Sequence, residues 1–451
     1  MARQGVGSII VLGPAGQPEG IVTDRDLRER VLAVGRSPDE PVTAIMTSPI
    51  VSVSPEAFVF EALLEITRRK IHHLLVVEAG RLVGVISGHD LLLLRAVAPL
   101  ELARAIQSRT SLEALASLMP NLGEATRRLF EEGLSGYEIG RIVSELNDLV
   151  IRRVLELVEL DLRESEPAGP PVPFCWLALG SEGRREQTIR TDQDNALVYE
   201  DPPPGLETRT RAYFGRLAER VIDGLLRLGY PRCPGESMAS NPKWSQPLGV
   251  WRGYFGTWVR EPDRQNLLYS SIYFDFRPVA GTHELAHALR DEVRTQVKAW
   301  RSFPRYLGKL AVSHAPPLGL FGRFVLEKHD GGRGIDVKLN GMLLLVNALR
   351  AYAIELGLDE TNTIERLEAA ARAGRCFTAD ETEDVRQAYE TIFHLRLRHQ
   401  LERLAAGEPP DNFVDPRALT RGDQRRLRDA FSAIRRLQGK IEDRYFTEAL
   451  S

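Results

Sequence analysis

The sequence predicts a multidomain α/β protein, and three observations support that class. The chain has 451 residues, which is more than one ordinary hydrophobic core accommodates. Its first hundred residues contain an internal repeat in which β-branched runs lead into a helical pattern. Beyond the proline-rich segment "ESEPAGPPVP", short apolar runs typical of buried strands alternate with helical patterns. We therefore expect a domain boundary at about residue 165.

The internal repeat occupies residues 1–98. The segment "VGSIIVLGPAGQPEGIVTDRDLRERVLA" recurs, with changes, as "IHHLLVVEAGRLVGVISGHDLLLLRAVA". Each copy predicts a strand, a turn, a second strand and a helix, because each β-branched run ends at a hydroxyl residue and an Asp that can cap a helix. The residues between the copies predict a strand and then a helix that starts near Ser54, with Ala62 and Ile66 on its apolar face.

The two motifs "GIVTDRDL" and "GVISGHDL" resemble those of a pair of CBS domains, modules that commonly bind adenosine nucleotides in the cleft between their copies. The resemblance implies that the hydroxyl and the carboxylate of each motif contact the ribose and phosphate of AMP, ADP or ATP. The residues concerned are Thr23, Asp26, Ser87 and Asp90. Alternatively, all four are only turn and cap residues. The first copy lacks the family's opening helix and strand, which leaves open whether its cleft is complete.

Residues 99–165 predict a helical connector. The segments "LEALASLM", "ATRRLFEEG" and "IGRIVSELNDLVIRRVLELVELDL" have apolar residues at intervals of three and four. We interpret this region as a helix bundle that either transmits a signal between flanking domains or serves as a spacer. Four prolines and a glycine in "ESEPAGPPVP" then end the last helix.

The segment "FCWLALGSEGRREQTIRTDQDNALVYED" predicts a strand, a turn, a helix and a second strand. "FCWLAL" is typical of a buried strand, and Gly180-Ser181 ends it at a tight turn. "EGRREQTI" can form a short helix whose free backbone N–H groups face a phosphate. Ser181 adds a hydroxyl there, and Arg184 or Arg185 adds a charge. The second strand, "NALVYE", begins just after Asp192 and Asp194.

Asp192 and Asp194 predict a metal site. Residues i and i+2 of an extended chain point to the same face, so the two carboxylates repel each other unless a cation lies between them. Magnesium prefers oxygen ligands from carboxylates and phosphates, which indicates metal-assisted phosphoryl transfer. The segment "SSIYFDFRPV" predicts a half-buried strand with a third carboxylate, Asp275, on its polar face. Alternatively, Asp192 is a turn residue and Asp194 a chance neighbour.

The order Gly-Ser, ten intervening residues, Asp-x-Asp and a later Asp resembles the polymerase β type nucleotidyltransferase superfamily. The wider context, "ESMASNPKWSQPLGVWRGYFGTW" and "FDFRPVAG", resembles the nucleotidyltransferase family that is fused to CBS domains and is similar to the nitrogen-regulatory protein uridylyltransferases. The resemblance extends over residues 1–446. It departs at Gln193, which is polar where the superfamily usually has an apolar residue.

The resemblance implies an architecture and a reaction. A CBS pair (1–98) and a helical connector (99–165) precede a nucleotidyltransferase core with a mixed sheet (166–300) and a C-terminal helical domain (301–451). Gly180 and Ser181 would hold the phosphates of a nucleoside triphosphate, and Asp192, Asp194 and Asp275 would bind two magnesium ions. Asp275 would also help to deprotonate an acceptor hydroxyl, expected on a protein. Adenine nucleotides at the CBS pair would regulate a homodimer.

Two further segments contain candidate site residues. Asn241, Lys243 and Trp244 either line the substrate side, with Lys243 on a phosphate and the indole on a base, or pack under a loop. "GIDVKLNGM", which follows a predicted hairpin with its turn at residues 330–334, resembles the segment after the core of the uridylyltransferases. Asp336 and Lys338 there either face the active site or form a surface ion pair.

Net charge, cysteine content and the length of apolar stretches indicate which other classes of function the sequence disfavours. The net charge of -3 and the pI near 6.4 give no electrostatic reason for a nucleic-acid or membrane partner. Three distant cysteines suggest neither a disulfide framework nor a zinc site, and favour the cytoplasm. The longest apolar stretch is interrupted by Asn347 and Arg350, short of a membrane span. The rival hypothesis is a catalytically silent nucleotide sensor that acts through a partner.

Overall fold

The structure of the chain is a computed structural model. It describes residues 1, 7–14, 16–37, 39–69, 71, 73–87, 97–166, 168–189, 192–329, 332–374 and 376–445. These residues form two units, Met1–Ala105 and Ile106–Ser451. Asp90, Asp330 and the side chain of Ser87, all singled out by the sequence analysis, lie outside what is described.

The first unit contains both copies of the repeat. Its elements are β1 (Ser8–Leu12), β2 (Pro18–Thr23), α1 (Asp24–Asp26, continued by a π-helical segment, Leu27–Leu32), a 3₁₀ turn (Val42–Ala44), β3 (Ser52–Val53), α2 (Val59–Arg69), β4 (His73–Glu78) and β5 (Arg81–Ser87). β1 pairs antiparallel with β2, β4 pairs antiparallel with β5, and β3 lies parallel to β4. Each copy therefore contains the predicted pair of strands.

The helix between the copies begins later than predicted. We predicted a start near Ser54, but α2 begins at Val59. A turn comes first, in which Ala57 N donates to Ser54 O at 3.0 Å, and the proline that follows Ser54 favours such a turn. As predicted, Ala62 and Ile66 are buried in the core of this unit.

Helix α3 (Val97–Ser108) crosses the boundary between the units, and the elements after it belong to the second unit. Its helices are α4 (Leu112–Ala116), α5 (Met119–Glu131), α6 (Gly136–Ser165), α7 (Gly180–Gly183), α8 (Glu207–Arg227), α9 (Leu248–Arg260), α10 (Arg264–Tyr273), α11 (His283–Ala299), α12 (Phe303–Val312), α13 (Leu343–Leu356), α14 (Thr363–Arg372), α15 (Ala379–Ala405) and α16 (Arg421–Tyr445). Its strands are β6 (Phe174–Ala178), β7 (Asn195–Tyr199), β8 (Ser245–Pro247), β9 (Arg277–Gly281), β10 (Glu327–His329), β11 (Gly332–Asp336) and β12 (Phe413–Val414).

A four-stranded mixed sheet with strand order β8-β7-β6-β9 forms the centre of the second unit. β6 pairs antiparallel with β7 and with β9, and β7 pairs parallel with β8. Every residue of β6 and β7 is buried, which explains why both strands are continuous apolar runs in the sequence. The predicted mixed sheet and its two central strands are therefore observed.

Helix α6 lies against this sheet. A capping box starts the helix, because Ser135 and Glu138 exchange hydrogen bonds between side chain and backbone. Its apolar face is buried, and Val150 is completely inaccessible. On the side of the sheet, Arg152 Nε donates to Val279 O at 2.8 Å. The amphipathic pattern that predicted a connecting helix thus belongs to a helix that packs in the core.

The segment "SSIYFDFRPV" is not the single strand that we predicted. Helix α10 continues to Tyr273, and β9 begins only at Arg277. Packing holds the end of the helix, because Tyr273 is fully buried against Trp244, with ring centroids 4.2 Å apart. Asp275 therefore lies in the turn between α10 and β9, where it is completely buried, and not on the polar face of a strand.

The predicted helix "EGRREQTI" is also shorter than expected. Helix α7 ends at Gly183, and Arg185 has a φ of +56°, which a continuing helix does not contain. A Cβ at Gly183 would lie 1.6 Å from the backbone oxygen of Asp275, so only glycine fits this close approach of two backbones. The contact between the two segments replaces the predicted helix with a turn.

After α12 the chain forms a small sheet and a group of packed helices. β10 and β11 form the predicted hairpin, and β12 pairs with β11. Helix α13 packs against α12, α14 and α16. On α16, Leu427, Phe431 and Ile434 are completely buried, so its apolar stripe belongs to the core.

One helical stretch among the described residues, Lys338–Leu356, is long and apolar enough to span a membrane. Of its most apolar window, 67% is buried inside the protein. The core helix of a folded protein meets the same criterion, so this stretch is weak evidence for a membrane span. Within it, Arg350 Nη1 donates to Asn347 Oδ1 at 2.7 Å.

Candidate active site

The candidate site begins at the end of β6, where the chain turns at Gly180. Gly180 has a φ of +54°, a conformation that favours glycine. A Cβ at this position would also lie 2.8 Å from Asp194 Oδ2. The carboxylate of Asp194 therefore lies directly against the turn, and a hydrogen bond of 2.9 Å from Leu179 N to Asp194 O joins the two segments. Ser181, the next residue, is half-buried.

Asp192 and Asp194 lie on one side of the segment that leads into β7. Gln193, between them, points the other way, because it is only 3% exposed and its Nε2 donates to Tyr230 O at 3.1 Å. Since side chains alternate along an extended chain, the two carboxylates share the opposite face. Gln193, the departure from the superfamily pattern, is thus a buried and hydrogen-bonded residue.

The pKa of Asp194 is raised above its ordinary value. Burial is the largest cause and the charge of Asp192 adds to it, whereas a hydrogen bond from the Cys233 thiol and the charge of Lys338 oppose it. Burial also raises the pKa of Cys233 to about 11, so this thiol stays protonated and acts as a donor. Burial thus disfavours the charged form of Asp194, and a divalent cation bound to its carboxylate would stabilise that form.

Lys338 contributes positive charge to this site from the C-terminal part of the chain. Burial lowers its pKa and the charge of Arg396 lowers it further, while the charges of Asp192 and Asp194 act in the opposite direction. Asp336 accepts from the backbone N–H of Lys338 and of the residue after it, at 2.9 Å each, and so satisfies two backbone donors at the start of the π-helical segment Lys338–Met342. The charge of Lys338 thus acts on both carboxylates, while Asp336 is engaged by backbone N–H groups.

Asp275 has a different environment from this pair. Its carboxylate accepts hydrogen bonds from Arg184 Nη1 at 2.8 Å, from Arg350 Nε and Nη2 at 3.0 and 2.5 Å, and from Arg366 Nη2 at 2.7 Å. Burial alone would raise its pKa, but the charges of the three arginines outweigh burial, and the pKa lies well below its ordinary value. We call these four side chains the arginine cluster.

The structure does not bring together the three carboxylates that were predicted to bind metal. In the part of the chain that it describes, no group of three or more His, Cys, Asp or Glu side chains could hold a metal ion. Both oxygens of Asp275 are occupied by guanidinium groups, whereas we expected them to join Asp192 and Asp194. The predicted strand was wrong, because this segment is a helix followed by a turn. Metal binding by Asp275 stays a prediction.

Two arginines that were predicted to bind a nucleotide are paired with carboxylates of the protein. Arg184 is buried and binds Glu186 at 2.7 Å as well as Asp275. Arg185 lies 3.3 Å from Glu145 on α6. The short helix that was to present both side chains to a phosphate ends before them, so their directions are set by these ion pairs and not by the predicted helix.

The segment around Trp244 is mostly a packing element. Trp244 is 3% exposed and its ring is stacked on that of Trp251, with centroids 6.0 Å apart. Asn241 accepts from Lys243 N and caps a 3₁₀ turn, Pro242–Trp244. Lys243 is exposed, and its Nζ donates to the Tyr269 hydroxyl at 2.8 Å. Packing under a loop thus describes the tryptophan, while the lysine keeps access to solvent.

The start of α14 packs against the turn that follows α7. Asn362 Nδ2 donates to Arg184 O at 2.9 Å, and Thr363 N donates to Glu186 Oε1 at 2.7 Å. Together with the arginine cluster, these bonds attach the C-terminal helices directly to the segment that contains Gly180.

In the first unit, the motif of the first copy caps a helix. Asp26 Oδ2 accepts from Thr23 N at 2.9 Å and from Thr23 Oγ1 at 2.7 Å, and the two residues form a capping box. Burial opposes ionisation of Asp26, but the hydrogen bonds from Thr23 outweigh it and the pKa is lowered. Ser87 ends β5, and Asp90, its partner in the second motif, lies outside the described residues.

Comparison with protein families finds three matches. Residues 120–265 match "Putative nucleotidyltransferase DUF294", residues 301–445 match "Putative nucleotidyltransferase substrate binding domain", and residues 42–96 match the CBS domain. The first match contains Asp192 and Asp194, and the second contains Lys338. The predicted recognition of a nucleotidyltransferase joined to a CBS region is confirmed.

Individual relatives cover parts of the chain. An uncharacterized protein of Methanopyrus kandleri is 33% identical over 20% of this chain and 48% of its own length. The bifunctional glutamine synthetase adenylyltransferase/adenylyl-removing enzyme of Nocardia farcinica is 24% identical over 69% of this chain and 31% of its own length. A crystal structure of a CBS-domain containing protein from Agrobacterium tumefaciens is 29% identical over 20% of this chain and 73% of its own, with a TM-score of 0.20. The chain thus spans about half or less of the two curated relatives.

Proposed function

The chain belongs to the CBS-domain-containing family of DUF294 nucleotidyltransferases, and from this premise we propose that it transfers a nucleoside monophosphate from a nucleoside triphosphate to an acceptor hydroxyl. The observation that carries the proposal is Asp194 against the Gly180 turn, with Asp192 two residues before it and the charge of Lys338 acting on both carboxylates. The acceptor hydroxyl attacks the α-phosphate in line, and pyrophosphate leaves.

Asp192 and Asp194 would hold magnesium. Two observations support the fit: the donors are carboxylate oxygens, and the burial that raises the pKa of Asp194 disfavours its charged form, which a cation would stabilise. Bound magnesium would offset the charge on the phosphate oxygens. Because the arginine cluster occupies Asp275, we now assign metal binding to the pair Asp192 and Asp194 alone.

The Gly180 turn and Lys338 would bind the triphosphate. Gly180 lets the Asp194 carboxylate lie directly against the turn, and Ser181, the next residue, is half-buried. Lys338 supplies a compact positive charge, which suits a phosphate group. We propose that this lysine contacts the part of the triphosphate that leaves as pyrophosphate.

We propose a protein as the acceptor. The relative from Nocardia farcinica is by name an adenylyltransferase of glutamine synthetase, which is a protein, and this supports both a protein target and ATP as a donor. The earlier resemblance to uridylyltransferases makes UTP the alternative donor. We further propose that adenine nucleotides bound at the CBS region regulate transfer in a cytoplasmic homodimer.

A transfer assay tests the proposal. Each labelled nucleoside triphosphate is incubated with magnesium, the full chain and a lysate as the source of acceptors. We expect label on one protein with the wild type and none with Asp192→Ala or Asp194→Ala. Asp223→Ala, which removes an exposed carboxylate on α8, is the matched control and should transfer normally. Equal labelling by all four proteins would exclude the assigned site.

The silent sensor remains the second candidate, because one observation favours it. The third carboxylate that was expected at the site is neutralised in the arginine cluster. A sensor would bind nucleotide with magnesium, as measured by calorimetry, but would label no protein with any triphosphate. Binding together with labelling would exclude this candidate.

A further inference from the structure

The second unit contains a cavity of about 620 Å³ that the proposed reaction does not use. Its walls come from α5, α6, the end of α15 and the segments beside residues 188 and 229. The lining includes Leu122, Gly123, Val143, Thr188, Tyr230 and Leu404. Protein interiors are packed with few voids larger than a water molecule, whereas sites for small ligands measure roughly 300–1,000 Å³. The cavity thus has the size of a ligand site.

The chemistry of the walls indicates what kind of molecule fits. Most lining side chains are apolar, and an apolar cavity favours apolar ligands over water. The polar lining residues Glu124, Thr126, Arg127 and Asn147 form hydrogen bonds within the protein. Thr188 differs from them, because it is 2% exposed and its hydroxyl has no hydrogen-bond partner among the described residues. A buried hydroxyl without a partner is unfavourable unless a ligand or a water satisfies it. We propose that the cavity binds a small, predominantly apolar molecule with one hydrogen-bonding group, which pairs with Thr188.

The cavity is connected to the carboxylate pair through short contacts. Thr188 lies on the segment that leads to Asp192. Tyr230, also in the lining, accepts at its backbone oxygen from Gln193 Nε2 at 3.1 Å, and its hydroxyl donates to Asn147 Oδ1 at 2.7 Å. A bound molecule therefore contacts the residues that hold Gln193, which lies between the two carboxylates. The molecule stabilises this segment and so influences Asp192 and Asp194.

Binding is tested with 1-naphthol, an apolar molecule with a single hydroxyl, titrated into the full chain and followed by its fluorescence. We expect one site per chain. Gly123→Leu fills open space in the cavity and should weaken binding at least tenfold, and Ala116→Leu, at another lining position, should act in the same direction. Gly215→Leu is the control, because Gly215 lies on the exposed face of α8 with open space around it.

The role of the hydroxyl is tested separately with Thr188→Val, which keeps the shape of the side chain. Loss of one hydrogen bond should weaken 1-naphthol binding about fivefold. Circular dichroism melts establish that each variant is folded. No binding by the wild type, or equal binding by the wild type, Gly123→Leu and Ala116→Leu, would overturn the site.

The effect on the carboxylate segment is measured by hydrogen exchange, which needs neither metal nor nucleotide. With saturating 1-naphthol, amides of residues 192–199 should exchange more slowly in the wild type and at unchanged rates in Gly123→Leu. Unchanged exchange in the wild type would overturn the connection. Because no transfer activity is involved, failure of this inference and failure of the proposed reaction are distinguishable.

Discussion

The second unit contains two acidic sites that differ in how the protein compensates their charge. Asp275 is completely buried and accepts from three arginines, which lowers its pKa. Asp194, against the Gly180 turn, has a raised pKa, and the thiol and the lysine near it do not reverse that effect. A carboxylate whose charge the fold neutralises is closed to ligands, and removing it leaves the charges of its partners buried and unpaired. A carboxylate whose charge the protein does not neutralise remains available to bind a cation.

The largest expected effect comes from breaking the arginine cluster. Asp275→Ala leaves three buried guanidinium groups without their common acceptor, and removal of one partner from a buried ion pair costs about 3–5 kcal/mol. We expect a decrease of that size in the free energy of unfolding, measured by urea denaturation. Asp192→Ala, which removes a charge from the open pair, should change it by less than about 1 kcal/mol. If Asp275→Ala is as stable as the wild type but inactive, Asp275 belongs to the catalytic site after all.

The next prediction concerns a substitution that should lower transfer activity without lowering stability. Asp194→Asn keeps the shape of the side chain but removes the charge that a metal requires. We expect transfer to fall at least about a hundredfold, of the order seen when metal-site residues are altered, while the urea midpoint stays close to that of the wild type. Gln193→Glu, which adds a charge on the buried side, should instead destabilise the protein because it takes a carboxylate into the interior. Transfer by Asp194→Asn at the wild-type rate would contradict the assignment.

Lys338 allows a smaller and more selective test. Lys338→Met removes the charge but keeps an apolar side chain of similar length, and Lys338→Arg keeps the charge. We expect KM for the triphosphate to rise about tenfold in the first variant, because one charge-assisted contact is lost, with a smaller change in kcat. The arginine variant should recover most of the affinity. An effect on stability alone would mean that the lysine only balances the carboxylates within the fold.

The smallest effect is the dependence of stability on pH. Because the folded-state pKa of Asp275 is lowered, its contribution is complete at neutral pH and is lost only as the pH falls below the unfolded value of about 4. Asp194 affects stability in the opposite direction. Because its pKa is raised in the folded state, protonation of Asp194 favours the folded state as the pH falls towards that pKa. Urea midpoints between pH 7 and 3.5 should therefore fall less steeply for Asp275→Asn than for the wild type. For Asp194→Asn, the urea midpoints should not include the stabilisation that protonation of Asp194 gives the wild type on mild acidification.

Local patterns predicted the strands on either side of Asp192 and Asp194 correctly, but they did not predict the turn that contains Asp275. The apolar runs of β6 and β7, the glycine turn and the spacing of Asp192 and Asp194 are properties of one continuous segment, so the sequence contains them directly. Asp275 was placed by the alternation of "IYFDFR", which a helix followed by a turn can also satisfy once Tyr273 packs against Trp244. Burial of that aromatic ring against a distant residue overrode the local period.

The remaining differences have the same cause. The arginines of the cluster lie 75 and 91 residues away from Asp275 along the chain, and no spacing rule connects them. The contact of Cys233 with Asp194 could not be predicted either, because a single cysteine in "RCPGES" does not indicate which carboxylate it contacts in the folded chain. Lys338 was identified through a resemblance, but the action of its charge on Asp192 and Asp194 depends on the folding of segments more than 140 residues apart.

The arginine cluster also has a consequence for how the protein is made. Arg366 follows Asp275 by 91 residues, so a ribosome needs about 5 to 20 seconds after synthesising the aspartate to add the last arginine that binds it. During that interval the turn beside Gly180 lacks the partners that fix it, including Asn362. The nucleotidyltransferase segment therefore completes its fold only after the C-terminal helices have emerged, and a chain that stops before Arg366 leaves a charge in its interior without its full set of partners.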